Sequence, residues 1–291
     1  MSFESLSGLV SEAEHTSIFD AVIDEDVRDR QVTREESFAS MRKLYAAMKA
    51  ADAAYVPEER SASGLVGGDG ARFAGYAAAG DTLCGDFMAQ VIARALRMGE
   101  CNACMKRIVA APTAGSCGVL PAVLVPLQLR MALSDDDMIR ALFVAGGVGQ
   151  VIAHRAFIAG AAGGCQAEVG TAAAMAAAAL TYLRGGDAQA CAHASAMALK
   201  NLMGLVCDPV AGLVEVPCVK RNVIGAACAL TSADMALAGV RSAIPPDEVI
   251  DAMREVGERM DVTLRETGEG VVAATPFARA FAERMRDQEK T

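Results

Sequence analysis

Three cysteines stand in settings where a thiolate could be presented to a metal. They are Cys165 in GGCQAEVG, Cys207 in GLVCDPVAGLVEV and Cys218 in VEVPCVKRN. Each is flanked by glycine, proline or turn-forming residues rather than by helix interior, which lets loops from different parts of the chain converge. Cys207 and Cys218 lie eleven positions apart, close enough for one loop to bring both sulfurs to a single centre, with Pro209 and Pro217 stiffening its ends. Free cysteine is also among the most buried residue types and packs as a small hydrophobe. Spacing alone leaves both roles open.

The remaining cysteines carry less. Cys101 and Cys104 form a C-x-x-C, a pattern that can be redox-active or bind zinc, but no second such pair and no neighbouring histidine accompany it. It reads as a chance pair beside a helix end, and Cys84, Cys191 and Cys228 read as packing residues. The histidines, His15, His154 and His193, stand in no hydrolase-like pattern with serine or aspartate and are expected at the surface or in packing. No lysine has the context of a pyridoxal-phosphate Schiff base, and no phosphate- or dinucleotide-binding glycine pattern follows a predicted strand. Neither cofactor is expected.

The chain has 291 residues, is 53% hydrophobic and carries a formal net charge of −9. That length and apolar content support a substantial buried core. The acidic balance argues against nucleic acid or an anionic membrane as partner, since both need clustered Lys and Arg. The amino terminus, MSFESLSGLVSEAEH, is acidic and amphipathic rather than a signal peptide. The uncharged stretch from Val109 to Leu129 contains Pro112, Pro121 and Pro126, which a lipid-exposed helix tolerates badly, and it reads as buried protein. A cytoplasmic location follows, in which nine cysteines, an odd number, are mostly reduced thiols.

The elements that must position these residues read as helices. Aromatic content is only 4%, with no Trp and abundant Ala, Gly and Met, which suits closely approaching helices and an all-α architecture. Pro246-Asp247-Glu248 opens an apolar pattern over Val249, Ile250, Met253, Val256 and Met260. Ser134 with Asp137 has capping-box character, and Asp187 can cap Ala188 to Met203. Helical spacing also covers Ser37 to Ala51 and Asp86 to Met98, and Ala172 to Leu180 (AAAMAAAAL) suits a central, tightly packed helix. Glycine-dense connectors are predicted at Gly64 to Gly70, Pro112 to Gly118, Gly146 to Gly149 and Gly160 to Gly170. Residues 1–291 are expected to form a single unit: amino-terminal helices to about residue 60, a core over 61–276 and a polar tail over 277–291.

Longer strings add a resemblance. APTAGSCGVLPAVL, AGAAGGCQAEVGTAAAMAAAAL and KNLMGLVCDPVAGLVEVPCVKRN are similar to signature blocks of the alpha chain of iron–sulfur-dependent L-serine dehydratases. The similarity runs from about Gly64 to Pro276 and, more weakly, into the amino-terminal helices. It implies an all-helical fold and a 4Fe-4S cluster held by Cys165, Cys207 and Cys218. Three thiolates leave one iron open, a Lewis acid that can neutralise the β-hydroxyl of serine as it departs. Loss of the Cα proton then gives an aminoacrylate, which tautomerises and hydrolyses to pyruvate and ammonia.

That reaction needs further groups, which the residues themselves suggest. Ser63, Gly67, Gly68 and Asp69, with Thr113, Gly115 and Ser116, are candidates for binding the substrate carboxylate through glycine-rich turns; each could equally be a tight helix connection. Glu168 and Arg221 are expected to brace the cluster loops, or to form a structural ion pair, and Cys117 to line the site without ligating iron. The general base is unknown here: the family places a Ser-Ser-His block on a beta chain or amino-terminal domain, and none occurs in this sequence, so a beta subunit is the expected partner. Single-chain relatives end in a cysteine that can cap the open iron; this sequence ends RMRDQEKT, so that device is expected to be missing. AHRAFIAG, with Arg155, Phe157 and Ala159, departs from the family pattern and could alter substrate preference. The rivals are a related lyase acting on cysteine or threonine, a non-catalytic cluster protein serving as sensor or electron carrier, and, more weakly, a structural zinc site.

Overall fold

The structure is a computed structural model that describes residues 3–80 and 82–288. Thirteen α-helices account for most of them: α1 (Leu6–Ala13), α2 (Ile18–Arg30), α3 (Arg34–Ala53), α4 (Asp69–Ala78), α5 (Gly85–Ala103), α6 (Val119–Met131), α7 (Asp135–Arg155), α8 (Gly160–Gly163), α9 (Thr171–Leu183), α10 (Ala188–Leu202), α11 (Cys218–Leu237), α12 (Pro246–Arg259) and α13 (Pro276–Gln288). Among the described residues there is no strand, only an isolated bridge between Cys207 and Arg265. The all-α expectation holds.

Local chemistry explains the helix starts. Ser134 and Asp137 make a reciprocal capping box at α7, and the Asp187 side chain accepts from Ala190 N at α10. Helix α3 begins ahead of the expected Ser37, because Thr33 and Glu36 form a second capping box. Most of the expected tail lies in α13, which buries Ala278 and Phe281; residues 289–291 fall outside the described ones.

At the centre, α9 is buried along Thr171–Thr181 and packs against α7, α10 and α11. Its alanines let neighbouring backbones come close while removing apolar surface from water. The expected connector at Gly146 to Gly149 is instead the interior of α7. A Cβ on Gly147 would lie 2.5 Å from Val22 Cγ2, and one on Gly149 would lie 2.9 Å from Met175 Sδ. Both glycines are there for helix contact, against α2 and α9, not for a turn. Helix α6 lies inside this layer, with Val119–Leu127 all buried; this part of the uncharged stretch is buried as read, whereas Leu129 at its end is exposed. Among the described residues no helix is long and apolar enough to cross a membrane.

Candidate functional site

Three loops meet beside the amino-terminal ends of α9 and α11. Cys165 follows α8 and opens a five-residue π-helical turn, Gln166–Gly170, that runs straight into α9. Cys207 lies in the loop after α10, where its backbone N–H donates to Leu264 O at 2.8 Å and its carbonyl accepts from Glu266 N at 2.7 Å. Cys218 is the first residue of α11, after Pro217. All three are free and buried.

Gln166, which sequence reasoning passed over, joins two of these loops. Its N–H donates to Leu205 O, its side-chain amide to Met253 O, and its Oε1 accepts from Gly204 N. The loop leading to Cys207 is thereby fixed against Cys165.

The sulfurs lie close enough to act on one another electrostatically. Burial, then Cys165, Glu168, Glu266 and Cys218, pushes the Cys207 thiol up. Burial, Cys165 and Glu168 push Cys218 up to about 12. Cys165 is pushed up to about 11 by burial, against the pull of the Arg221 guanidinium that hydrogen-bonds to it. The free thiols are therefore protonated at neutral pH, and a metal would have to displace those protons. Among the described residues, no three His, Cys, Asp or Glu side chains converge tightly enough for a single metal ion.

Arg221 and Glu168 flank the sulfurs. Arg221 donates to Val206 O at 2.7 Å and to Asp208 Oδ1 at 2.8 Å, so it pairs with Asp208, a partner the sequence did not suggest. Glu168 Oε1 accepts from Thr113 Oγ1 at 2.8 Å, and Oε2 lies 4.0 Å from Cys207 Sγ. Burial raises its carboxyl pKa above the ordinary value, with Glu266 adding to the rise against the Thr113 hydrogen bond.

The turn Pro112 to Gly118 closes one side. Thr113 and Ser116 hydroxyls are 3.2 Å apart, and Gly115 faces Glu168, whose Oε1 would lie 3.5 Å from a Cβ placed there. Asn222, four residues after Cys218, accepts from Gly118 N and donates to Gly115 O, clipping the turn to α11. Among the described residues the N–H groups of Ala114, Gly115 and Ser116 make no hydrogen bond, which leaves three clustered donors for an anion.

The structure thus gathers Cys165, Cys207, Cys218, Glu168, Arg221, Thr113, Gly115 and Ser116, while the Gly64 to Gly70 segment is engaged differently. Asp69 N and Gly70 N donate to Glu100, a side chain only 2% exposed. Gly67 and Gly68 crowd Glu59 O and the Arg60 side chain, and the Asp69 carboxylate pairs with Arg72 and Lys220. Ser63 reaches the cysteine loop only through Glu215.

Comparison with known proteins shows the family. The family described as serine dehydratase alpha chain matches residues 13–273. This chain belongs to that family. It is 47% identical to a probable L-serine dehydratase alpha chain of Bacillus subtilis over 92% of this chain and 89% of that protein. Against the corresponding alpha chain of Latilactobacillus sakei it is 58% identical, over 66% of this chain and 91% of the relative. An L-serine dehydratase of Escherichia coli is 42% identical over 62% of this chain, a match that spans only 40% of the longer relative.

Within the serine dehydratase alpha-chain fold the other singled-out residues can be placed. Arg155 pairs with Asp251 of α12 at 2.6 Å, and the Phe157 ring fills the space beside Gly163 and Gly257, so both departures serve the contact with α12. Ala159 caps α8. Cys117 is fully buried and donates to Met98 O of α5; burial, with the nearby Cys101 adding to it, pushes its thiol up to about 12, and it faces α5. Cys101 and Cys104 sit at the carboxyl-terminal end of α5, as read, and His193 Nδ1 accepts from Ser242 N in a packing role.

Proposed function

We propose that this chain is the catalytic subunit of an L-serine ammonia-lyase, which deaminates L-serine to pyruvate and ammonia with a 4Fe-4S cluster on Cys165, Cys207 and Cys218. The observation that carries this is the convergence of three buried, unpaired thiols from three separate loops, beside Glu168 and Arg221, in a chain of the serine dehydratase alpha-chain family.

The donor set fits such a group. Soft sulfur ligands suit iron–sulfur chemistry, and a cluster seats each thiolate on its own iron, so its ligands stand further apart than those of a single ion. A cysteine-only zinc site would need a fourth thiolate. When bound, the cluster supplies a Lewis-acidic iron for the departing hydroxyl.

The chain's own residues do the rest of the positioning. Arg221 holds the Val206 carbonyl and would offset the negative charge of Cys165 once it ligates as a thiolate. The turn at Ala114, Gly115 and Ser116 offers its N–H groups to the substrate carboxylate, anchored by Asn222 on one side and the Thr113–Glu168 hydrogen bond on the other. The base that takes the Cα proton comes from a beta subunit, consistent with single-chain relatives that extend well beyond the matched region. The chain works as one unit, in the cytoplasm.

Anaerobic reconstitution with iron and sulfide, with and without the beta subunit, followed by serine-dependent pyruvate release tests the reading. Wild type with its partner is expected to release pyruvate, and Cys207→Ala or Cys218→Ala to abolish both cluster absorbance and turnover. Full activity in either variant overturns the ligand assignment. Cluster absorbance without pyruvate favours a sensor or electron carrier, and sulfide or 2-oxobutyrate production identifies a lyase for cysteine or threonine.

A further inference from the structure

Between Cys207 and Cys218 the chain buries a carboxylate that the proposed chemistry does not use. Glu215 is 6% exposed. Its Oε2 accepts from Ser61 Oγ at 2.8 Å and from Ser63 Oγ, residues about 150 positions earlier in the chain. Ser61 Oγ also accepts from Val66 N and Ser63 Oγ from Leu65 N. Both hydroxyls are thus held between Glu215, each other at 3.1 Å and the N–H groups of their own loop.

The backbone of Glu215 is engaged as well. Its carbonyl accepts from Val219 N at 3.0 Å in the first turn of α11, and its N–H donates to Leu213 O at 2.7 Å. One residue therefore grips the serine loop with its side chain and the start of the Cys218 helix with its main chain. Nothing else joins the loop at Ser61–Val66 to the segment carrying Cys218 by side-chain hydrogen bonds among the described residues.

We infer that Glu215 is a positioning residue: an acceptor clamp that, by holding Ser61 and Ser63, keeps Cys218 buried and correctly placed before any cluster is loaded. This rests on the assignment of Cys218 as a ligand for its functional meaning, but not for its test. What the clamp requires is an acceptor for two hydroxyl protons. A Gln carbonyl has the two lone pairs to provide that, whereas Leu has none and removes the acceptor that ties both hydroxyls to the Cys218 segment.

Alkylation of Cys218 by iodoacetamide in the metal-free chain, followed by peptide mass spectrometry, reads the clamp directly. Cys191, which is fully buried in α10, serves as the internal control. Glu215→Leu and the pair Ser61→Ala with Ser63→Ala are each expected to speed labelling of Cys218 by about tenfold, the effect of losing a hydrogen bond to a charged group, with Cys191 unchanged. Glu215→Gln is expected to keep Cys218 protected. Wild-type labelling rates in Glu215→Leu and the double-alanine variant overturn the clamp, as does Glu215→Gln labelling as fast as Glu215→Leu. Equal acceleration at Cys191 in both disrupted variants also overturns it, because the loss is then global. Failure of serine turnover in the reconstituted wild type leaves these labelling rates unaffected and bears only on the proposed function.

Discussion

Glu168 Oε2 stands 4.0 Å from Cys207 Sγ, and Gly160 lies against both. Although these two side chains come from different loops, a single missing methyl group sets how near they can come to α8. A Cβ on Gly160 would be 2.8 Å from the sulfur and 2.8 Å from the carboxylate oxygen, inside van der Waals contact on both sides.

Gly160→Ala should therefore push Glu168 and Cys207 away from α8 while leaving the helices in place. The expected cost is about 1–3 kcal/mol in urea denaturation, typical of overpacking, together with at least a tenfold loss of serine turnover after reconstitution. Wild-type turnover would show that the site tolerates the shift.

Arg221 and Asp208 form a pair in which the carboxylate is 1% and the arginine side chain 15% exposed. Arg221→Met leaves Asp208 buried, with Val272 N as its remaining donor. Breaking such a pair costs about 3–5 kcal/mol, seen as a lower urea midpoint. Combining Arg221→Met with Asp208→Asn is expected to recover part of that loss, since the orphaned charge is gone.

The contact between α2 and α7 can be tested by compensation. Gly147→Ala drives a methyl into Val22 and should destabilise by about 1–3 kcal/mol. Val22→Ala removes the obstructing carbons. The double variant is expected to lose less than the sum of the two single losses, with a coupling of at least about 0.5 kcal/mol.

A pH dependence follows from the capping box of α7. Hydrogen bonds from the Ser134 hydroxyl and N–H hold the Asp137 carboxyl below its ordinary value of 3.8. Because the folded value is depressed, the stabilisation is complete above the ordinary value and is lost as pH falls through the folded one. Asp137→Ala should therefore cost about 0.5–1 kcal/mol at pH 7 and little once the wild-type carboxyl is protonated. Urea midpoints at several pH values check this; a difference that persists unchanged in strong acid contradicts it.

The sequence was most legible where chemistry is local. The boxes at Ser134 and Asp137, the Asp187 cap and the proline start at Pro246 mark helix ends because each is settled within a few residues. Thr33 and Glu36 carry the same signal ahead of Ser37. The glycines of α7 read as a connector because glycine promotes turns and close packing alike, and only the position of Val22 distinguishes the two. Within the site, the cysteine blocks were visible through resemblance. Gln166, Asp208 and Asn222 lie inside those blocks, but their partners Gly204, Arg221 and Gly115 become neighbours only on folding. Glu100 and Glu215 gave no local sign at all, since each meets its partners across long chain separations.

The alanine helix at the centre has a thermodynamic consequence. Burying a long side chain freezes its rotamers, at up to about 1.5–2 kcal/mol each, whereas alanine has none to freeze. Along Ala172–Ala174 and Ala176–Ala179 the interior is therefore ordered almost entirely through backbone. Because Cys165 enters that helix through an unbroken π turn, its backbone position is inherited from the main chain, and a single χ1 torsion then places the sulfur. Warming should then loosen the periphery well before it blurs the point where that sulfur sits.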